Sequence, residues 1–307
     1  MKIGLIGLGR MGGNMATRLE LKVHDVVGFD PSPAAREEAA AKGVEPVDSL
    51  ENLVKALQPP RAIWCMVPAG SPTTSTLETL GGLLEAGDVI VEGGNSNFRE
   101  TQDWAARLSK SGISLVDAGV SGGVWGLENG YCLMVGGPAE AVSLVEPVLT
   151  DLAPEKGWLH VGPSGAGHFV KMVHNGIEYG LMQSYAEGFE LMASATELNL
   201  DLPAIAELWG KGSVVRSWLL ELVILALAGD GFSEVKPWVD DSGEGRWTVE
   251  EGVRRAVPLP AITAALYERF GSRQQPVDGQ PGSYAHRLLA ALREQFGGHA
   301  VKRDPPV

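Results

Sequence analysis

"KIGLIGLGRMG", residues 2–12, is the stretch whose reading decides the fold. A short apolar run from Lys2 meets glycines at 7, 9 and 12, and a segment with helical character follows from Met11 to Leu21. In a strand–turn–helix setting the first glycine allows a tight turn. The second lets the backbone approach a pyrophosphate, and the third admits close packing of helix on strand. The helix N-terminus then offers free N–H groups to phosphate charge. Gly7, Leu8, Gly9, Arg10, Met11 and Gly12 are therefore candidate cofactor contacts. Asp30 ends the next apolar run, "DVVGFD" at 25–30, where a carboxylate can accept hydrogen bonds from adenosine ribose hydroxyls. The same carboxylate would repel a 2′-phosphate, and Pro31 follows it rather than an arginine, so NAD is expected over NADP. Arg36, in the next helix, reads as a solvated side chain, with a contact to a cofactor phosphate as the alternative.

Beyond this stretch, short apolar runs recur at 61–67, 88–94, 114–120 and 131–137, with helical segments at 33–42 and 49–57 between the early ones. That order implies βαβ units. The expected class is α/β, a doubly wound, mostly parallel sheet at 1–163 followed by an all-α domain at 164–307. The polar, Gly/Pro-rich stretches 230–245 and 271–283 read as functional or mobile loops, the second flexible without a partner subunit. A net charge of −13 argues against nucleic acid or an anionic membrane as partner. Cys65 and Cys132, each in an apolar context, suit a reducing cytoplasm better than a disulfide framework. The six histidines show no metal-ligand spacing. "WLLELVILALAG", at 218–229, is too short to span a bilayer and reads as a core or subunit-interface helix.

The segment "KMVHNGIEYG", 171–180, carries the chemistry. Lys171, His174, Asn175, Glu178 and Tyr179 recur at helical spacing and share one face, a polar stripe interleaved with Val170, Met172, Val173 and Ile177. Gly176 and Gly180 are weak helix formers, which suggests close approach of cofactor, substrate or another helix.

With "GLGRMG", "GGNS" (93–96), "SGG" (121–123), "GAGHFVKMVHNGIEYGLMQ" (165–183), "SGEGRWT" (242–248) and "FGGH" (296–299), the chain resembles the 6-phosphogluconate dehydrogenase family over essentially its whole length. Its length is similar to the short form, with one helical domain, within the β-hydroxyacid dehydrogenase superfamily. The resemblance implies that Lys171 is a general base and Glu178 a general acid in an oxidative decarboxylation. It implies substrate contacts from Asn95, Ser121, Gly122, Gly123, His174, Asn175, Tyr179, Arg269, Arg293 and His299, with Asn95 between substrate and cofactor. It adds Val67, Pro68 and Ala69 to the cofactor loop. It further implies a homodimer or homotetramer in which the tail residues Arg293 and His299 reach the neighbouring subunit's site.

Three positions depart from the long form: Ser242 stands where it has a lysine near the phosphate, Glu244 where it has a threonine, and Pro68 where its cofactor loop often has a lysine. A phosphate contact is then missing, or Arg246 replaces it. A simple β-hydroxyacid dehydrogenase would also use the glycine fingerprint and a helix lysine, but would not need Glu178, Arg269, Arg293 or His299. A nucleotide-sensing module without catalysis would need neither Lys171 nor Glu178.

Overall fold

The structure, a computed structural model, describes residues 1–229, 231–274 and 283–303. Its strands are β1 Lys2–Ile6, β2 Asp25–Phe29, β3 Glu45–Val47, β4 Ala62–Cys65, β5 Val89–Glu92, β6 Ser114–Ser121, β7 Cys132–Gly136 and β8 Trp158–Gly162. The helices up to the end of the sheet are α1 Arg10–Leu21, α2 Pro33–Ala40, α3 Leu50–Lys55, α4 Ser71–Leu83, α5 Phe98–Leu108, α6 Gly126–Asn129 and α7 Ala139–Leu152. Then come α8 Ala166–Ser194, α9 Leu202–Trp209, α10 Trp218–Ala228, α11 Glu244–Arg254, α12 Pro260–Ser272 and α13 Ser283–Gly297. Two compact units, Met1–Met172 and Val173–Val307, divide inside α8, whereas the sequence pattern suggested a boundary near residue 163.

In the N-terminal unit the eight strands form one sheet in the order β3-β2-β1-β4-β5-β6-β7-β8. Pairing is parallel except where β7 runs antiparallel to β6. Successive side chains of β1 point to opposite faces, and both faces are covered. Ile3 and Leu5 join Met15 and Leu19 of α1 and Val145 and Leu149 of α7. Ile6 and Ile63 join Leu53, Leu77, Leu80 and Leu108 of α3, α4 and α5. Each fully buried aliphatic side chain contributes about 1.5–3 kcal/mol. The order reverses between β1 and β4, the switch point at which open sheets of this kind bind ligands.

Serine and asparagine side chains set several helix starts: Ser32, Ser49 and Asn97 accept backbone N–H bonds at the N-termini of α2, α3 and α5. The sequence pattern did not resolve β3, β8, α4, α5 or α7. α4, "SPTTSTLETLGGL", is rich in Ser, Thr and Gly, all poor helix formers, yet Thr73, Leu77 and Leu80 bury one face. Cys65 is buried but Cys132 is exposed, because the side chain of the first residue of β7 points to solvent.

In the C-terminal unit, the second half of α8 and helices α9, α10 and α13 enclose a core of Met182, Phe189, Leu220, Val223, Leu288 and Leu292. α10 is both a core helix and a surface one: Leu222 is buried, while Trp218 and Leu225 are exposed. The tail runs back along its own chain, where the Lys236 backbone N–H donates to the Lys302 carbonyl (2.9 Å) and Lys302 Nζ lies 3.3 Å from the Trp238 ring centroid. The flexibility expected of 271–283 concerns residues 275–282, which lie outside those described. Among the described residues no helix is long and apolar enough to cross a membrane.

Candidate active site

The glycine loop closes over the sheet as the residue types demand. Gly7 has φ +89, and a Cβ there would come within 2.3 Å of the Met66 carbonyl oxygen. A Cβ on Gly12 would lie 1.8 Å from the Gly7 carbonyl oxygen, so helix and turn touch through backbone alone. Gly9 has nothing within 4 Å of its missing Cβ, which leaves its backbone open to an approaching phosphate. The Asp30 carboxylate braces this turn from β2, accepting from the Leu8 backbone N–H (2.8 Å) through one oxygen and from the Ser32 N–H (2.8 Å) through the other. Arg36 is not simply solvated: it donates to the Asp30 carbonyl at 2.6 Å. Arg10 and Met11 begin α1, and Val67, Pro68 and Ala69 follow β4, on the other side of the switch point. An open glycine, a helix N-terminus and a ribose-side carboxylate at one strand end fit a dinucleotide.

The neighbouring strand ends place the second set. Asn95 adopts φ +56, a left-handed conformation that asparagine tolerates, and its side chain bonds both ways to Val120. Nδ2 donates to the Val120 carbonyl (3.2 Å), and Oδ1 accepts from the Val120 N–H (2.9 Å). Asn95 therefore holds Ser121, Gly122 and Gly123 at the end of β6. Asp117, fully buried on β6, accepts from the backbone N–H groups of Gly165 (2.7 Å) and His168 (2.9 Å). This carboxylate caps the first turn of α8 and fixes the rotation of the helix. A Cβ on Gly119 would sit 2.4 Å from the Lys171 Cβ, so strand and helix meet at the lysine, which is 5% exposed.

In the C-terminal unit, His174 Nδ1 lies 2.9 Å from Asn175 Oδ1 and 3.9 Å from Glu178 Oε2. The closer contact calls for a proton on Nδ1. Gly176 is explained by another helix, since a Cβ there would meet Thr248 of α11 at 2.6 Å. Gly180 and Gly188 face open space, with nothing within 4 Å. Tyr179 is 3% exposed and its hydroxyl accepts from the Ser242 backbone N–H at 3.2 Å. Arg269, 2% exposed, stacks on the Tyr179 ring, and burial lowers its guanidinium to about 10. Arg293 is also pulled down by burial and senses Tyr179, Asp240, Asp241 and Glu178 of its own chain. Arg293 and Arg269 thus lie close enough within one chain for their charges to interact. His299 packs on Phe296 and Gly297 at the end of α13.

Arg246 does not stand free to replace the missing lysine. It pairs with Asp241 through Nε (2.5 Å) and Nη2 (3.1 Å), and Arg273 reaches the same carboxylate at 2.6 Å. Burial works against the Asp241 charge, but those hydrogen bonds outweigh it and hold the carboxyl below its ordinary range. Glu244 is 8% exposed, with Oε2 unpartnered.

Two family descriptions match this chain: the NAD binding domain of 6-phosphogluconate dehydrogenase over residues 2–162, and the 6-phosphogluconate dehydrogenase C-terminal domain over 167–280. The chain belongs to the 6-phosphogluconate dehydrogenase family. It is 44% identical over 306 residues to the NAD(+)-dependent, decarboxylating 6-phosphogluconate dehydrogenase of Haloferax volcanii, covering 99% of each chain. It is 41% identical to YqeC of Bacillus subtilis over 99% of this chain and 100% of that one. The solved 6-phosphogluconate dehydrogenase of Plasmodium falciparum superposes with a TM-score of 0.82 at 27% identity, covering 95% of this chain and 70% of that one. For a 6-phosphogluconate dehydrogenase family member, the residues that sequence reasoning missed are Asp117, Glu92, His168 and Asp241. Each is a single polar residue in an apolar or loop setting, and only its partners reveal it.

Proposed function

We propose that the chain catalyses the NAD-dependent oxidative decarboxylation of 6-phosphogluconate to ribulose 5-phosphate and CO2. The observation that carries this reading is the pair of buried arginines, Arg269 and Arg293, set around Tyr179 on the helix that bears Lys171 and Glu178. Two desolvated guanidiniums favour a multiply charged anion, and a planar fork suits phosphate. A dehydrogenase for small unphosphorylated hydroxyacids has no use for them.

Lys171 takes the proton of the substrate's 3-hydroxyl as hydride leaves C3. NAD, when bound at the glycine loop, supplies the hydride acceptor. The 3-keto acid then loses CO2 because its ketone oxygen accepts the released electron pair, and Lys171 returns the proton to that oxygen. Glu178 protonates C1 of the resulting enediol while Lys171 takes back the proton of the 2-hydroxyl, which completes the ketopentose. Seven residues of helix separate base and acid by about 10 Å along the axis, within reach of a six-carbon substrate for two long side chains. His174 and Asn175 bind the substrate's carboxylate and hydroxyls, as do Asn95 and Ser121 to Gly123. The exposed apolar residues Leu191, Leu208, Val214 and Trp218 suit burial against a second copy of the chain. The enzyme belongs to the cytoplasm, where Cys132 stays reduced.

The test is product analysis with NAD and 6-phosphogluconate. Equimolar CO2, NADH and ketopentose are expected, with unphosphorylated gluconate a far poorer substrate. A product that keeps six carbons would defeat the reading in favour of a non-decarboxylating hydroxyacid dehydrogenase.

A further inference from the structure

His168 is a buried ionisable group that the chemistry above leaves unused. Its ring lies on the first turn of α8, one turn ahead of Lys171, and the residue is 1% exposed. Nδ1 is 2.8 Å from Thr101 Oγ1 and 3.4 Å from Glu92 Oε2. The Thr101 hydroxyl can give its own proton to the Asn97 carbonyl at 3.3 Å, which leaves its oxygen to accept from Nδ1–H. The Glu92 Oε2 beside it, as an acceptor, favours the same tautomer.

These partners are the two roots of one loop. Glu92 ends β5, and its other oxygen accepts from the Gly94 N–H at 2.7 Å. Asn97 caps α5, and Thr101 lies on its first turn. Between them stands Asn95, tied in turn to Val120 beside Ser121. The main chain of His168 is anchored as well, through its N–H to Asp117, and its neighbour Phe169 meets Phe98 edge to face at 5.2 Å.

From this we infer that His168 is a positioning residue: one imidazole clamps both ends of the Asn95 loop to the helix turn that aims Lys171. Packing alone does not account for it. Nε2 is buried with no partner among the described residues, a penalty that an apolar residue of similar volume would avoid. Connected buried polar groups instead fix one arrangement. Rotation of α8 by a few degrees would move the Lys171 amine relative to Asn95 and Ser121, and proton transfer is sensitive to such displacement. The inference rests on Lys171 being the general base.

The experiment compares His168→Leu, His168→Asn, Thr101→Val and Lys171→Met, reading kcat, both KM values, thermal midpoint and NADH binding by fluorescence. The asparagine amide can stand in for the Nδ1–H donor. His168→Leu is expected to lower kcat by about 30- to 100-fold, as misplacement near 1 Å does. KM values and NADH binding should stay within about threefold, since an effect confined to kcat marks loss of transition-state geometry. Thr101→Val should move in the same direction, and His168→Asn should recover most of the loss. Unchanged kcat in His168→Leu, or equal losses of kcat and thermal midpoint in the leucine and asparagine variants, would overturn the clamp. Turnover retained by Lys171→Met would overturn the base assignment, and the clamp with it.

Discussion

The guanidinium carbon of Arg269 lies 3.3 Å from the centroid of the Tyr179 ring, so a buried cation rests directly on the face of a phenol. The contact compensates part of the desolvation that draws the arginine down to about 10, and it leaves the planar edge of the fork for an anion. Arg269→Lys keeps the charge but loses both fork and stacking. It is expected to raise KM for 6-phosphogluconate by about 10- to 100-fold, the loss of a charged hydrogen-bond set. Steady-state kinetics check this, and gluconate turnover should be unaffected.

Arg293 senses the charges of Tyr179 and Glu178 of its own chain, which supports a role in that chain's own site. Mixed oligomers of Lys171→Ala and Arg293→Ala chains are therefore expected to regain no activity above that of the separate variants. Recovery towards one quarter of wild type would show instead that the arginine crosses to its neighbour.

Gly119 has no room for a methyl group, with the Lys171 Cβ at 2.4 Å and the Gly167 carbonyl oxygen at 2.8 Å from a Cβ built there. Gly119→Ala should push α8 off the sheet at the lysine, costing about 1–3 kcal/mol of stability. Turnover should fall by about 100-fold. Calorimetry and kcat measure the two effects separately.

Asp30 braces the Leu8 turn and stands at the strand end where a carboxylate can meet an adenosine ribose. Replacing Asp30 by Ala and Pro31 by Arg should lower the NAD/NADP ratio of kcat/KM by at least about tenfold, a coupling near 1.4 kcal/mol. The absolute rate with either cofactor should also fall, because the brace is lost. Unchanged selectivity would count against the carboxylate as the discriminating group.

The paired carboxyl of Asp241 titrates below its ordinary value of 3.8, so its stabilising pairing is complete above that pH and is lost as pH falls through the folded value. Asp241→Asn should therefore be less stable than wild type at neutral pH. The gap should narrow only below about pH 4, as urea denaturation at several pH values would show.

Much of this architecture was legible because local signals agreed. The glycine spacing, the apolar run before it and Asp30 all pointed to one strand–turn–helix unit, and the structure has that unit. The reversal of β7 was not legible, since an apolar run looks the same in either direction. β8 was missed because none of its five residues is buried enough to mark a core strand. Asp117 and His168 escaped for a different reason. A lone polar residue gives no periodic signal, and its meaning lies in partners tens of residues away. Arg246 stood as one of two readings of the missing phosphate contact, and its pairing with the carboxylate five residues earlier was not legible in the sequence.

The two helical glycines of α8 that face open space, Gly180 and Gly188, have a consequence for heat tolerance. None of the described residues occupies the volume a methyl group would take at either position. Alanine at Gly188, three turns from the chemistry, would stiffen the rod at a gain of about 1 kcal/mol. The molecule thus holds an unused margin of thermal endurance in the helix on which its reaction depends.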